Sequence, residues 1–218
     1  MGHPELTDGR RLRGERTKAG ILDAAVDIAS VEGLEGLSIG SLAQSTGVSK
    51  SGLFAHFGSK QELQLETIEA ARDRFIASVV EPALQAPPGV ARVWGLCDGW
   101  LRYAEKPIFP GGCFFAQTSA EFDNRPGPVR DRIAEIMGRW TDLIARSIRE
   151  AQDAGELKRT HDARQLAFTL NSIGFGANWE FQLQGARRVF DISRQAILDQ
   201  LRAAATKSGL RRLDELPG

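Results

Sequence analysis

Ser49, Lys50, Ser51, Gly52 and His56 crowd the stretch VSKSGLFAHFGSK, Val48 to Lys60, and none of them is bulky and apolar. Serine hydroxyls bond phosphates or base edges, a lysine ammonium reaches phosphates or the acceptors of guanine, and glycine lets a backbone come close. The chemistry on offer is contact with a nucleic acid rather than bond making. Leu53 and Phe57, on the other side, are expected to pack against Ile21, Ala25 and Leu42. Lys60 opens the next segment, where free backbone N–H groups would help it bond a phosphate. Further upstream, Arg10, Arg11, Arg13, Arg16 and Lys18 stand against Glu15, an excess of four positive charges. Such a segment suits phosphates or a minor groove, with an affinity that falls steeply with salt.

The other reactive residue types do not assemble. His3, His56 and His161 are scattered, and Glu121 and Asp123 have no visible partner, so no metal, no cofactor and no enzymatic activity is expected. Cys113 follows two glycines at a predicted helix start, a setting that lowers a thiol pKa and suits a redox or electrophile sensor. The alternative is a buried cysteine acting as a small hydrophobe. Two cysteines in all, Cys97 and Cys113, make no disulfide framework and fit a reducing cytoplasm.

These residues have to be positioned by helices. Ile21, Leu22, Ala25, Ile28 and Ala29 recur at spacings of three and four, which predicts an amphipathic helix from Thr17 to Glu32, stopped at Gly33. Ser38 is placed to cap a short second helix that ends near Thr46-Gly47, and Ser49 a third. Two short helices joined by a glycine turn form a helix-turn-helix. Ser59, with Glu62 three residues on, predicts a capping box for a fourth helix reaching Pro82. Later stripes predict helices around Val93–Leu101, from Cys113 to Phe122, from Val129 to Ala154, from Asp162 to Gln184 and from Phe190 to Ala205. No segment alternates as a strand does, so the expected fold is all-α with about nine helices. The charges balance, 28 basic against 28 acidic, so any attraction for a polyanion has to be local. No apolar run approaches the roughly 18 residues of a membrane span. Periodicity alone leaves open a second reading, a polar short helix beside a solvated tail.

The second half is rich in aromatic residues, Trp94, Trp100, Phe109, Phe115, Trp140, Phe168, Phe175 and Trp179, as an apolar ligand pocket needs and as a helical core also needs. Trp94, Phe115, Trp140, Phe168, Phe175 and Trp179 are the expected pocket residues. Asn171, Asn178, Gln117 and Glu121 could orient a ligand or simply face solvent.

The stretch ILDAAVDIASVEGLEGLSIGSLAQSTGVSKSGLFAHFGSKQEL, Ile21 to Leu63, closely resembles the DNA-binding domain of the TetR (tetracycline repressor) family of bacterial regulators. The shared landmarks are the I-L-x-A-A opening, L-A-x-x-x-G-V-S, L-F-x-H-F and S-K-x-x-L. The resemblance implies a cytoplasmic homodimer: a basic flexible leader (1–15), a helix-turn-helix domain (16–60) and a ligand-binding and dimerisation domain (61–210). It implies an operator of double-stranded DNA, release of that operator by a small-molecule effector, and dimerisation through the last two long helices. By position, Ser38, Ser49, Lys50, Ser51, Gly52, Phe54, His56 and Lys60 are the implied DNA-facing set. Two departures stand out: Phe54 occupies a position where relatives often carry a phosphate-bonding tyrosine, so it is expected only to pack, and Gly40 replaces an arginine that reads bases in some of them. An activator, a cysteine-based redox sensor, or a helical carrier or enzyme without DNA binding are the rival readings.

Overall fold

The computed structural model describes residues 4–106 and 108–216, with side chains from residue 14 onward. His3 and the side chains of Arg10, Arg11 and Arg13 lie outside the described residues. Among the described residues every element is helical apart from an isolated antiparallel bridge between Leu157 and Ala205.

Helix α1 spans Pro4–Gly36 and is interrupted at Gly33, whose φ of 79° and ψ of 164° break the helical ladder. It starts well before Thr17, so residues 4–15 form the first turns of this helix. Proline suits a first helical position, and the Arg, Lys, Glu and Leu that follow are good helix formers even without an apolar stripe. α2 (Ile39–Thr46) and α3 (Lys50–Phe57) are joined through Gly47, which holds the left-handed φ of 70° that a helix C-terminus needs. The caps fall where the sequence places them: Ser38 Oγ accepts from Ser41 N, Ser49 Oγ from Gly52 N and Ser59 Oγ from Glu62 N. The reciprocal bond of a capping box forms at Ser38 and Ser41 rather than at Ser59 and Glu62.

α4 (Lys60–Phe75) runs through a π-helical turn, Ile76–Val80, into α5 (Glu81–Leu84). The remaining helices are α6 (Val90–Glu105), α7 (Phe114–Phe122), α8 (Pro128–Asp153), α9 (Ala163–Gln184), α10 (Arg188–Ala204) and α11 (Lys207–Asp214). All nine predicted helices are present, and α5 and α11 are additional short ones. α6 is the centre of the second half and packs against the π turn, α5, α8, α9, α10 and α11. Burial alone would make Asp98 costly there, but Arg194 of α10 donates to it at 2.9 Å and Arg102 lies 2.5 Å away, so the charge is matched. The first three helices rest on the rest of the molecule through α1, which packs along α4 and α7.

Candidate nucleic-acid interface and ligand cavity

Leu53 and Phe57 are buried together with Ile21, Ala25 and Leu42, which fixes which side of α3 looks outward. Ser49, Lys50 and Ser51 are exposed on that outward side, and His56 is half-buried. Ser49 Oγ accepts the cap bond from Gly52 N and lies 3.2 Å from Ser51 Oγ, which leaves hydroxyl protons and lone pairs for an outside partner. Lys50 has no carboxylate partner among the described residues. A Cβ on Gly52 would come within 3.2 Å of Ser49 Oγ and Val48 Cγ1, so a side chain here would crowd the helix cap before any ligand is considered. Phe54 is 52% exposed. Its ring stands out from the surface instead of packing, because Leu53 and Phe57 already occupy the inward positions.

Lys60 does not project freely. Its ammonium donates to the Glu35 carbonyl at 2.8 Å and to Glu35 Oε2 at 2.9 Å, and this bond holds the Glu35 carboxyl below its usual range. Lys18 is similarly taken up by Glu66, 2.6 Å away, and its ammonium also lies over the Phe57 ring at 5.5 Å.

The turn from Leu34 to Gly36 joins the first three helices to the rest. The break at Gly33 strips the following N–H groups of helical acceptors, and one carboxylate from α7 replaces them. Glu121 Oε2 accepts from Leu34 N and Oε1 from Glu35 N, both at 2.8 Å. Gln64 of α4 donates to the Leu34 carbonyl at 2.9 Å. One turn earlier Gly111 N donates to Ser30 Oγ at 3.1 Å, and a Cβ there would sit 1.7 Å from the Ser30 carbonyl oxygen. Glu121 was one of two carboxylates the sequence left without a partner, and Asn178, expected to orient a ligand or face solvent, is buried with its Oδ1 accepting from Cys113 N at 3.0 Å.

A cavity of about 340 Å³ lies between α4, its π turn, α6, α7, α8 and α9. That is within the roughly 300–1,000 Å³ of small-molecule sites. Phe115, Trp140 and Phe175 line it as expected, joined by Phe75, Trp100 and Cys113. The rings meet edge to face: Phe75 and Trp140 are 5.0 Å apart at 89°, and Trp100 and Phe175 are 5.2 Å apart at 69°. Ile76 and Val80, at the two ends of the π turn, complete one wall, and Ile136, Met137 and Leu143 of α8 the other.

Three expected pocket residues are elsewhere. Trp94 lines a separate cleft beside Ala83 and Asp98. Phe168 and Trp179, 70% and 64% exposed, stand on the outer face of α9 with Leu183, because nothing in the subunit covers that part of the helix. Cys113 is 2% exposed, and burial pushes its thiol up, opposite to the lowered pKa expected at a helix start. Desolvation outweighs the favourable backbone N–H groups there, so the residue is a wall of the cavity and not a thiolate. Among the described residues no group of His, Cys, Asp and Glu could hold a metal ion, and no helix is long and apolar enough to cross a membrane.

Residues 21–67 match the family model of bacterial regulatory proteins of the tetR family, and residues 89–197 match the tetracyclin repressor-like C-terminal domain. The HTH-type transcriptional regulator TcmR of Streptomyces glaucescens is 25% identical over 203 residues, 88% of this chain and 85% of its own length. The fold is also that of a TetR transcriptional regulator from Chloroflexus aurantiacus, with a TM-score of 0.83 at 22% identity over 88% of this chain and 98% of that one. AibR, solved in complex with isovaleryl coenzyme A and operator DNA, superposes with a TM-score of 0.67 at 19% identity, over 82% of this chain and 96% of its own.

Proposed function

The chain belongs to the TetR family of transcriptional regulators, and from that premise we propose that it is a cytoplasmic homodimeric repressor released from a near-palindromic operator by a small-molecule effector. The observation that carries the effector part is the double role of α7: its N-cap Cys113 and first-turn Phe115 wall the cavity, and its last turn grips Leu34 and Glu35 through Glu121. A molecule that displaces Phe115 acts on the same rigid helix that anchors the helix-turn-helix. The effector need only prefer the arrangement in which the two recognition helices misfit the DNA, and its differential affinity sets how far binding falls.

On this reading α3 enters the major groove with Ser49, Lys50, Ser51 and His56 toward DNA. Phe54, being exposed and without a hydroxyl, suits the methyl group of thymine rather than a phosphate. Ser38 contributes its capped helix end, and Gly52 leaves room beside the Ser49 cap. Lys60 serves first as the tie to Glu35, and a phosphate contact requires it to exchange that partner. The uncovered stripe of α9 and α10, Phe168, Trp179, Leu183 and Ile192, supports dimerisation through these two helices.

The test is selection of bound sequences from a random DNA pool with the full chain. Two recognition helices about one DNA turn apart, roughly 34 Å, should enrich an inverted repeat with half-sites at that spacing. Recovery of no enriched motif at moderate salt would overturn the operator reading.

A further inference from the structure

Two donor groups at the cavity lack a nitrogen or oxygen acceptor among the described residues. The first is the indole N–H of Trp100, a residue 3% exposed. The Cζ3–Cε3 edge of its ring is pressed against α9 at Gly174, where a Cβ would lie 2.1 Å from Cζ3. The N–H edge, opposite, therefore points away from α9 and faces the Cys113 sulfur, a weak acceptor that gives it no hydrogen bond of ordinary geometry. The contrast with the neighbouring indole is direct: Trp140 Nε1 donates to Asn171 Oδ1 at 3.0 Å. A buried donor without a good acceptor is costly, and such a group calls for an explanation. The second donor is Arg146. Three arginines reach the cavity, Arg72, Arg139 and Arg146. Arg72 is held by Glu69 and Asp73, and Arg139 by Glu135. Arg146 has no carboxylate partner among the described residues and stands one turn beyond Leu143 on the same wall of α8.

We propose that the cavity takes a hydrophobic organic anion with a hydrogen-bond acceptor in its apolar body, the anionic group on Arg146 and the acceptor on the indole N–H of Trp100. The inference rests on the reading of this cavity as the effector site. Aromatic walls take up the body of the ligand, the indole N–H, faced only by a weak sulfur acceptor, selects a carbonyl or ether oxygen, and the exposed Arg146 at the edge selects a carboxylate, sulfonate or phosphate.

Three molecules on one scaffold separate the two contacts: 9-fluorenone-2-carboxylate, fluorene-2-carboxylate, which lacks the ketone, and neutral 9-fluorenone, which lacks the anion. Isothermal titration calorimetry of the full-length protein should show the keto acid binding tightest, with about a tenfold loss on removing either oxygen function. Arg146→Gln should erase only the advantage of the carboxylate, and Trp100→Phe only that of the ketone. The ketone comparison on the unaltered protein stands even where Trp100→Phe fails to fold. Equal affinity for all three, or an unchanged carboxylate advantage in Arg146→Gln, would overturn the anion proposal and leave the cavity as the effector site. No binding of any of the three overturns both.

Discussion

Glu121 satisfies two backbone N–H groups with one carboxylate, and the segment it satisfies is 87 residues away in the chain. Removing the acceptor leaves both donors of a partly buried turn without partners, which costs about 1–3 kcal/mol. Glu121→Ala should therefore lower stability by that amount in urea titrations, while Glu121→Gln, with one acceptor oxygen left, should fall between the two. Affinity for a selected operator should drop in step, since the turn positions the helix-turn-helix. Unchanged stability in the alanine variant would remove this carboxylate from the junction. Side-chain chemistry was legible where both partners were side chains or near neighbours: Ser38, Ser49 and Ser59 cap the helices that the sequence assigns them. Glu121 read as solitary because its partners are main-chain groups freed by the break at Gly33, and a main-chain N–H leaves no trace in residue type. Lys60 read as a phosphate contact because Glu35, its partner, is brought to it only by the packing of α1 on α4.

At the level of helices, apolar period predicts which residues share a stripe but not what covers it. Phe168, Phe175 and Trp179 lie along one stripe of α9, yet Trp100 of α6 meets only the middle one, so one lines the cavity and two face outward. The π turn at Ile76–Val80 was invisible for a related reason. One extra residue per turn changes which side chains point into the cavity without changing composition, and such turns are often found at functional sites. The α6–α9 contact depends on the absence of a single carbon. Gly174→Ala would drive a Cβ into the Trp100 ring, and overpacking of this kind costs about 1–3 kcal/mol. Thermal unfolding of Gly174→Ala should show a loss of that size, together with weaker binding of any molecule seated against Trp100. A fully stable variant would mean that the indole moves aside freely.

For the molecule as a whole, the decisive feature is the surface of α9 and α10 that the subunit leaves bare. Trp179, Leu183, Phe168 and Ile192 are more than half exposed, an unusual concentration for a surface with only water against it. A Trp179→Glu, Leu183→Glu double variant places two charges where two copies would meet. Sedimentation should show a dimer for the unaltered chain and a monomer for the variant, and operator affinity should fall at least about tenfold as the second half-site is lost. A variant that stays dimeric would move the interface elsewhere. The two free cysteines, Cys97 and Cys113, are both buried, and burial raises the Cys97 thiol to about 12. The natural chain is thus nearly silent toward thiol reagents, and a single cysteine introduced at Ser51 on each copy would be the one readily labelled site per subunit. Paired spin labels there would turn the spacing of the two recognition helices into a measured distance, with and without effector, on an otherwise unmodified protein.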